Sequence, residues 1–209
     1  MTAPRRSGFR VRPMWVEGRG EVPGQLVVVS GPSGSGKSSV LRELVDRPDL
    51  GLAVSVSATT RPMRTGERHE VDYAFLSRDE FEARAARGEF LEWAEYNGHL
   101  YGTPARPVYD LLAGGRSVIL EIEVRGATQV RDHAPGALFV FIRTPTFRAL
   151  EDRLRGRATE SEAAIFGRLR KGREELAQSF WYDVQLVNDD LDRCVEEFAT
   201  VLKSYGRGG

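Results

Sequence analysis

A glycine-rich turn between a strand-like and a helix-like segment constrains the fold of this chain more than any other feature. The turn reads GPSGSGKS over residues 31–38 and follows QLVVVS, a continuous apolar run typical of a buried parallel strand. A helical pattern then runs from Lys37 to Val45. The glycines let backbone N–H groups converge on phosphate oxygens, and the helix N-terminus adds partial positive charge. This order predicts a phosphate-binding loop (P-loop) in a mainly parallel α/β fold.

The chain contains 22 glycines, so a glycine-rich turn could also arise from composition alone. The use of lysine favours a phosphate-binding loop over this alternative. The chain has only three lysines, Lys37, Lys171 and Lys203, against 27 arginines. A chain that uses arginine almost everywhere retains lysine where a compact ammonium suits a phosphate cradle. We therefore predict that Lys37 reaches the β- and γ-phosphates of ATP and that Ser38 ligates Mg²⁺. The rest of the predicted ATP-binding loop is Gly31, Pro32, Ser33, Gly34, Ser35, Gly36 and Ser39.

Further apolar runs alternate with amphipathic segments, which predicts βαβ units and a P-loop NTPase fold with helices flanking the sheet. These runs cover residues 52–56, 117–122, 138–142 and 184–187, and a final helix is predicted over 191–205. Two segments, which we call excursions, interrupt this alternation of strands and helices. Residues 59–107 are predicted to form an inserted subdomain between core segments 24–58 and 108–209. Residues 143–173 carry nine basic and four acidic side chains.

Local signals predict details within both excursions. Ser77 with Glu80 has the spacing of a capping box for a helix that begins at Arg78. Thr159 with Glu162 predicts a second helix from near position 160 to beyond position 176. The small core of the insert is predicted to contain Phe75, Phe81, Trp93 and Tyr96.

Charge and composition exclude several classes of protein. Thirty basic residues balance thirty acidic ones, which argues against a general nucleic-acid binder. The single cysteine, Cys194, cannot form an internal disulfide, and no apolar run reaches the roughly 18 residues of a membrane span. We expect no membrane association and a cytoplasmic location. Residues 1–23, with five arginines, are predicted to form a disordered basic tail, with an anion-binding arm as the alternative.

A P-loop leaves open whether the γ-phosphate passes to water or to an acceptor. The segment TTRPMRTGE over 59–67 places Arg61 and Arg64 in a turn that proline and glycine constrain, just beyond a strand. Two guanidinium groups held in this way can bind one phosphate, while surface charge is the alternative for this segment alone.

Motifs along the whole chain occur in the order seen in guanylate kinases. The chain resembles this family from about Gly24 to the last helix. The resemblance is carried by GPSGSGKSS, SVSATTRPMRTGE, Asp72-Tyr73, EFLEWAEYNGHLYGTP, LEIEVRGA, RLRGRATE and VNDDLD. It implies ATP + GMP ⇌ ADP + GDP on a parallel-sheet core with a GMP-binding subdomain and an Arg-rich lid over about residues 143–173. It leaves open dGMP as an alternative acceptor, and monomer or homodimer as the oligomeric state.

The resemblance also implies roles for individual residues. The residues implied to hold the GMP phosphate are Arg61, Arg64, Tyr73 and Tyr101. Those implied to contact guanine are Ser57, Glu92, Thr103 and Glu123. Glu121 is implied to orient the water shell of Mg²⁺, and Asn188 to lie beside adenine. The lid arginines implied to close on the triphosphate and to stabilise the transferred group are Arg153, Arg157 and Arg168.

Some positions depart from the usual family pattern, and two other functions compete with the kinase. Glu121 and Glu123 stand where many members have aspartate, Arg125 where glutamine is usual, and Ala158 where glycine is usual. One competitor is a peptide-binding, guanylate-kinase-like domain of a scaffold protein. The intact P-loop and acceptor arginines disfavour it. The other is a kinase for a ribose phosphate. The residues implied to contact guanine disfavour this function.

Overall fold

The computed structural model describes residues 24–156 and 161–205. The predicted tail over 1–23, and Arg157 with Thr159, lie outside the described residues. The strands are β1 (Leu26–Ser30), β2 (Leu52–Val54), β3 (Ala58–Thr59), β4 (Ala74–Phe75), β5 (Phe90–Tyr96), β6 (His99–Pro104), β7 (Ser117–Glu121), β8 (Leu138–Arg143) and β9 (Val184–Val187). The α-helices are α1 (Lys37–Val45), α2 (Arg78–Ala86), α3 (Ala105–Ala113), α4 (Val124–His133), α5 (Phe147–Arg155), α6 (Glu162–Ala177) and α7 (Leu191–Tyr205).

Five strands form a parallel central sheet in the order β2-β7-β1-β8-β9. Successive residues of β1 bury opposite faces: Val27 packs with Phe198 of α7, and Val28 packs with Val124 of α4. Helices cover both faces, which explains why β1 is apolar throughout rather than alternating. The predicted α/β fold with a mainly parallel sheet flanked by helices is confirmed.

The smaller sheet has the order β4-β3-β6-β5, and its strands lie within the segment predicted as an insert, except that β3 begins one residue earlier, at Ala58. Phe81 of α2 stacks on Phe90 at 4.3 Å between ring centroids and fills its small core. The prediction that Trp93 and Tyr96 belong to this core was wrong, because each is 44% exposed. Phe81 is the only buried residue of α2, and helix α4 also contacts β5, because the side-chain amide of Gln129 hydrogen-bonds the backbone of Trp93.

Capping decides where the helices of both excursions begin. The Ser77 hydroxyl accepts from the backbone N–H of Glu80 at 3.2 Å, which confirms the predicted start of α2. Helix α6 begins at Glu162, close to the predicted position, and its N-cap is Ser161, which accepts from Ala164 N–H at 3.3 Å. Within the described ranges, no helix combines the length and apolarity needed to cross a bilayer.

Candidate active site

The ends of four parallel strands bring the P-loop and its neighbours to one edge of the central sheet. The loop follows β1, Glu121 ends β7, and Asn188 follows β9. Backbone pairing also places Asn188 there, since its N–H donates to Arg143 O of β8 at 2.8 Å. This carboxyl edge of a parallel sheet is where α/β proteins usually bind ligands.

Glycine is required at both ends of the P-loop. Gly31 has φ +145°, and a Cβ there would lie 2.0 Å from the carbonyl oxygen of Ile142. Gly36 has φ +88°, and a Cβ there would lie 2.2 Å from Nδ2 of Asn188. The loop therefore packs against its supports too closely for any side chain, which leaves its backbone N–H groups available for an anion.

Asn188 and Arg153 support the loop from behind. Asn188 is buried, and its Nδ2 donates to the carbonyl oxygen of Ser35 at 2.8 Å. Arg153 of α5 donates to the same oxygen at 3.3 Å and to Asn188 O at 2.7 Å. The position of Asn188 beside adenine stays a prediction.

The Lys37 ammonium lies inside the curve of the loop, where it donates to Gly31 O and, at 3.2 Å, to Pro32 O. Burial lowers the pKa of Lys37, and the carboxylates of Glu121, Glu175 and Glu123 oppose this shift. The two carbonyl oxygens hold the Lys37 side chain against the loop that is predicted to bind phosphate.

Ser38 and Glu121 meet at the start of α1. The Ser38 hydroxyl donates to Oε1 of Glu121 at 2.9 Å. A hydroxyl beside a carboxylate suits Mg²⁺, which takes few protein oxygens and completes its shell with phosphates and water. The part of the chain that the structure describes holds no group of three or more His, Cys, Asp and Glu that could form a protein-only metal cage. The pair fits Mg²⁺ bound together with a nucleotide.

Arg61 is held in a fork by Glu67. Its Nη1 and Nη2 donate to the two carboxylate oxygens at 3.0 and 2.8 Å, and the Arg64 N–H donates to Glu67 Oε2 at 2.7 Å. The hydrogen bonds from Arg61 lower the pKa of Glu67. The Arg61 guanidinium also lies 5.4 Å from the ring centroid of Tyr73, whose ring is 6.3 Å from that of Tyr101. The structure therefore brings Arg61, Tyr73 and Tyr101 together.

Glu92 is a buried carboxylate paired with Thr103 across strands β5 and β6. It is 7% exposed, and the Thr103 hydroxyl donates to its Oε1 at 2.7 Å. Burial raises the pKa of Glu92 to about 7, with the Thr103 hydrogen bond opposing the shift and the charge of Glu123 adding to it. A Cβ on Gly126 of α4 would lie 2.5 Å from Oε2, so the core helix closes over this carboxylate.

The remaining predicted site residues lie around the cleft between the central sheet and the insert. Glu123 precedes α4, and its Oε1 accepts from Lys171 Nζ of α6. Arg168 lies on the same face of α6, three residues before Lys171, and is partly buried. Ser57 is partly buried, and its carbonyl accepts from Ala74 N–H at 2.9 Å.

A comparison with known protein families matches the guanylate kinase model to residues 23–205 of this chain. The chain belongs to the guanylate kinase family. It is 50% identical to the guanylate kinase of Rubrobacter xylanophilus over 186 residues, which is 89% of this chain and 97% of that protein. It is 51% identical to that of Thermosynechococcus vestitus over 183 residues, 87% of this chain and 95% of the relative. A crystal structure of guanylate kinase from Anaplasma phagocytophilum matches with a TM-score of 0.70 at 30% identity, covering 87% of this chain and 85% of the other.

No role was predicted for four residues that the structure places at the site, although the first two lie within the motifs quoted above: Glu67, Gly126, Lys171 and Glu175. Gly126 had a detectable signal, because glycine inside a helix costs about 1 kcal/mol relative to alanine and suggests a close approach. Lys171 also had a detectable signal, because lysine is scarce in this chain. Glu175 is buried on α6, and burial raises its pKa to about 7. We find no sequence signal that singles out Glu175.

Proposed function

We propose that the cleft between the central sheet and the insert is a single phosphoryl-transfer site, with ATP on the P-loop and GMP on the insert. The reaction follows from membership of the guanylate kinase family: ATP transfers its γ-phosphoryl group to GMP, giving ADP and GDP. The observation that most directly supports GMP as the acceptor is the buried carboxylate of Glu92, hydrogen-bonded to Thr103 at 2.7 Å.

On the ATP side, backbone N–H groups of the P-loop bind the phosphates, and Lys37 places its charge at the group that moves. Ser38, and Glu121 through water, would hold Mg²⁺, which would neutralise phosphate charge there. Because this transfer involves little covalent chemistry by the protein, these residues act by position and electrostatics. Asn188 acts as a positioning residue that keeps the loop in shape.

On the GMP side, Arg61, Arg64, Tyr73 and Tyr101 hold the phosphate. Glu67 accepts two hydrogen bonds from the Arg61 guanidinium and Pro62 O accepts a third, so these contacts orient the fork. Glu92 accepts hydrogen bonds from guanine, and Ser57, Thr103 and Glu123 complete the base site. We expect dGMP to be a second acceptor, since none of these contacts needs the ribose 2′-hydroxyl.

We propose that residues 143–173 form a lid over the triphosphate. Arg153 and Arg168 flank the loop from α5 and α6, and Arg157, outside the described residues, lies between them in sequence. Closure excludes water that would otherwise accept the phosphoryl group. We also propose that the insert spans residues 59–107. The cytoplasmic location is a further proposal.

Release of ADP with different acceptors tests the function. We expect steady ADP release from ATP and Mg²⁺ when GMP is present and a rate at least about a hundredfold lower without an acceptor, because a closed cleft excludes water. AMP and ribose 5-phosphate serve as control acceptors. Equal ADP release with and without GMP would identify a hydrolase, and the absence of any release from folded protein would favour a peptide-binding domain.

The pH dependence of GMP affinity tests the role of Glu92. Its pKa is raised to about 7 in the free protein by burial. Binding guanine requires the ionised form, so GMP affinity falls as pH falls through 7. We expect the KM for GMP to rise about tenfold from pH 8 to pH 6. Glu92→Gln is the control, since its remaining pH dependence comes from the other groups that titrate near pH 7, the GMP phosphate and Glu175. An identical profile in both proteins would contradict the assignment.

A further inference from the structure

Lys171 is a lysine at the nucleotide cleft for which neither the P-loop nor the family resemblance accounts. Its Nζ donates to Oε1 of Glu123, which precedes α4, and lies 4.1 Å from the ring centroid of Tyr96 at the end of β5. The side chain is only 34% exposed. One ammonium thus connects helix α6, the core helix α4 and the hairpin of the insert.

The backbone that carries Lys171 is held against the P-loop. A Cβ on the neighbouring Gly172 would lie 3.3 Å from Cβ of Pro32 and 3.1 Å from Cδ2 of Leu150. Glu175, one turn further along α6, is buried. Because the helix is packed this closely, the Lys171 side chain extends from a fixed base.

Glu123 needs a partner to hold its carboxylate. It is the N-cap residue of α4, yet its side chain makes no capping hydrogen bond to that helix. Its side chain is 54% exposed and has one more rotatable bond than the aspartate that is usual at this position. The ion pair with Lys171 restricts this freedom at the point where we place guanine.

The choice of lysine in an arginine-rich chain is informative here. An arginine fork commonly engages both oxygens of a carboxylate, whereas an ammonium acts as a point charge and can bind one. In this structure Lys171 contacts Oε1 of Glu123. Oε2 is therefore left to accept a hydrogen bond from a ligand. Tyr96 links Lys171 to the residues that we place around the GMP phosphate, because the centroid of its ring lies 6.5 Å from that of Tyr101.

We propose that Lys171 is a positioning residue for the GMP base: it holds one oxygen of Glu123, leaves the other for guanine, and docks the Tyr96 hairpin against α6. The proposal rests on the guanine contact of Glu123 in the proposed function. It goes beyond that contact because it makes acceptor affinity depend on a residue of the lid segment.

The test measures GMP binding by calorimetry without ATP, together with steady-state KM and kcat, for Lys171→Met and Lys171→Arg. We expect Lys171→Met to weaken GMP binding about tenfold, the size of one lost charged hydrogen bond, with kcat and the KM for ATP within about threefold. Lys171→Arg should weaken GMP binding by a similar amount, because the fork takes both oxygens. Lys203→Met is the matched control, since Lys203 also forms an ion pair, with Asp49 at 2.7 Å, on α7.

The same substitutions in a Glu123→Gln background separate the possible failures. We expect Glu123→Gln alone to weaken GMP binding, and Lys171→Met to add less than about twofold to it, because coupled residues are not additive. An additive effect, or unchanged binding in Lys171→Met, would overturn the proposal and leave the role of Glu123 intact. Normal binding in Lys171→Arg would overturn the one-oxygen contact. Unchanged binding in Glu123→Gln would instead overturn the guanine contact of Glu123 in the proposed function, and the role of Lys171 with it.

Discussion

The Lys37→Ala variant is expected to lose about two to four orders of magnitude in kcat, the range for losing a preorganised donor that acts on developing charge. The structure gives the physical reason. The ammonium is withdrawn from water and bound by Gly31 O and Pro32 O, so its direction is set before ATP arrives. Water that enters the space left by the side chain cannot supply an oriented charge without reorganising during the reaction.

Single-turnover and steady-state rates with ATP and GMP measure this effect. Lys203→Ala is the matched control, because it removes a lysine from the ion pair with Asp49 and should leave kcat within about twofold. Thermal unfolding of each variant shows whether the loop substitution also lowers stability. A folded Lys37→Ala protein with near-normal turnover would remove Lys37 from the mechanism.

The unmodified protein is expected to prefer GMP over AMP by about four to five orders of magnitude in kcat/KM, the range for sites that recognise an analogue by buried hydrogen bonds. Guanine presents two donors, N1–H and the N2 amine, to a carboxylate, and its O6 accepts. Adenine has an acceptor at N1, so AMP would place this acceptor opposite the buried carboxylate of Glu92, which is also an acceptor. Burial makes this mismatch costly, because water cannot replace the missing partner.

Glu92→Ala identifies the residue responsible. We expect at least about a tenfold loss in kcat/KM for GMP, with the KM for ATP within a few-fold, because Glu92 lies on the insert and not on the P-loop. Thr103→Val is the companion variant, since it removes the hydroxyl that donates to Glu92 and leaves the carboxylate. If AMP is phosphorylated within tenfold of GMP, or if Glu92→Ala mainly weakens ATP binding, Glu92 does not read the base.

The elements that the sequence predicted best are those whose signals are local. Helix α1 over Lys37–Val45, strand β9 over Val184–Val187 and helix α7 over Leu191–Tyr205 match the predicted bounds. Each has an apolar period or a cap within its own residues. Helix α6 begins within two residues of the predicted position, with Ser161 as its N-cap residue.

Predictions that required knowledge of neighbours were less successful. Trp93 and Tyr96 are large and aromatic, which favours burial in general, but nothing in their own segment states how much of the small sheet the helices cover. The amide of Asn188 hydrogen-bonds Ser35, which is far away in sequence, and no signal near Asn188 predicts this contact. Burial and partner choice depend on segments brought together only by folding.

The sequence by itself determined the P-loop, the α/β class and the family, because phosphate binding needs glycines, a lysine and a hydroxyl at fixed spacing along one stretch of chain. The tertiary structure alone decided the environments of the charged groups at the acceptor site. Glu92 has its pKa raised to about 7 because α4 closes over it. Glu123 is held because α6 brings Lys171 to it from 48 residues away in the chain. Desolvation and ion pairing depend on distances through space, and these exist only once the sheet, the insert and the helices have packed together.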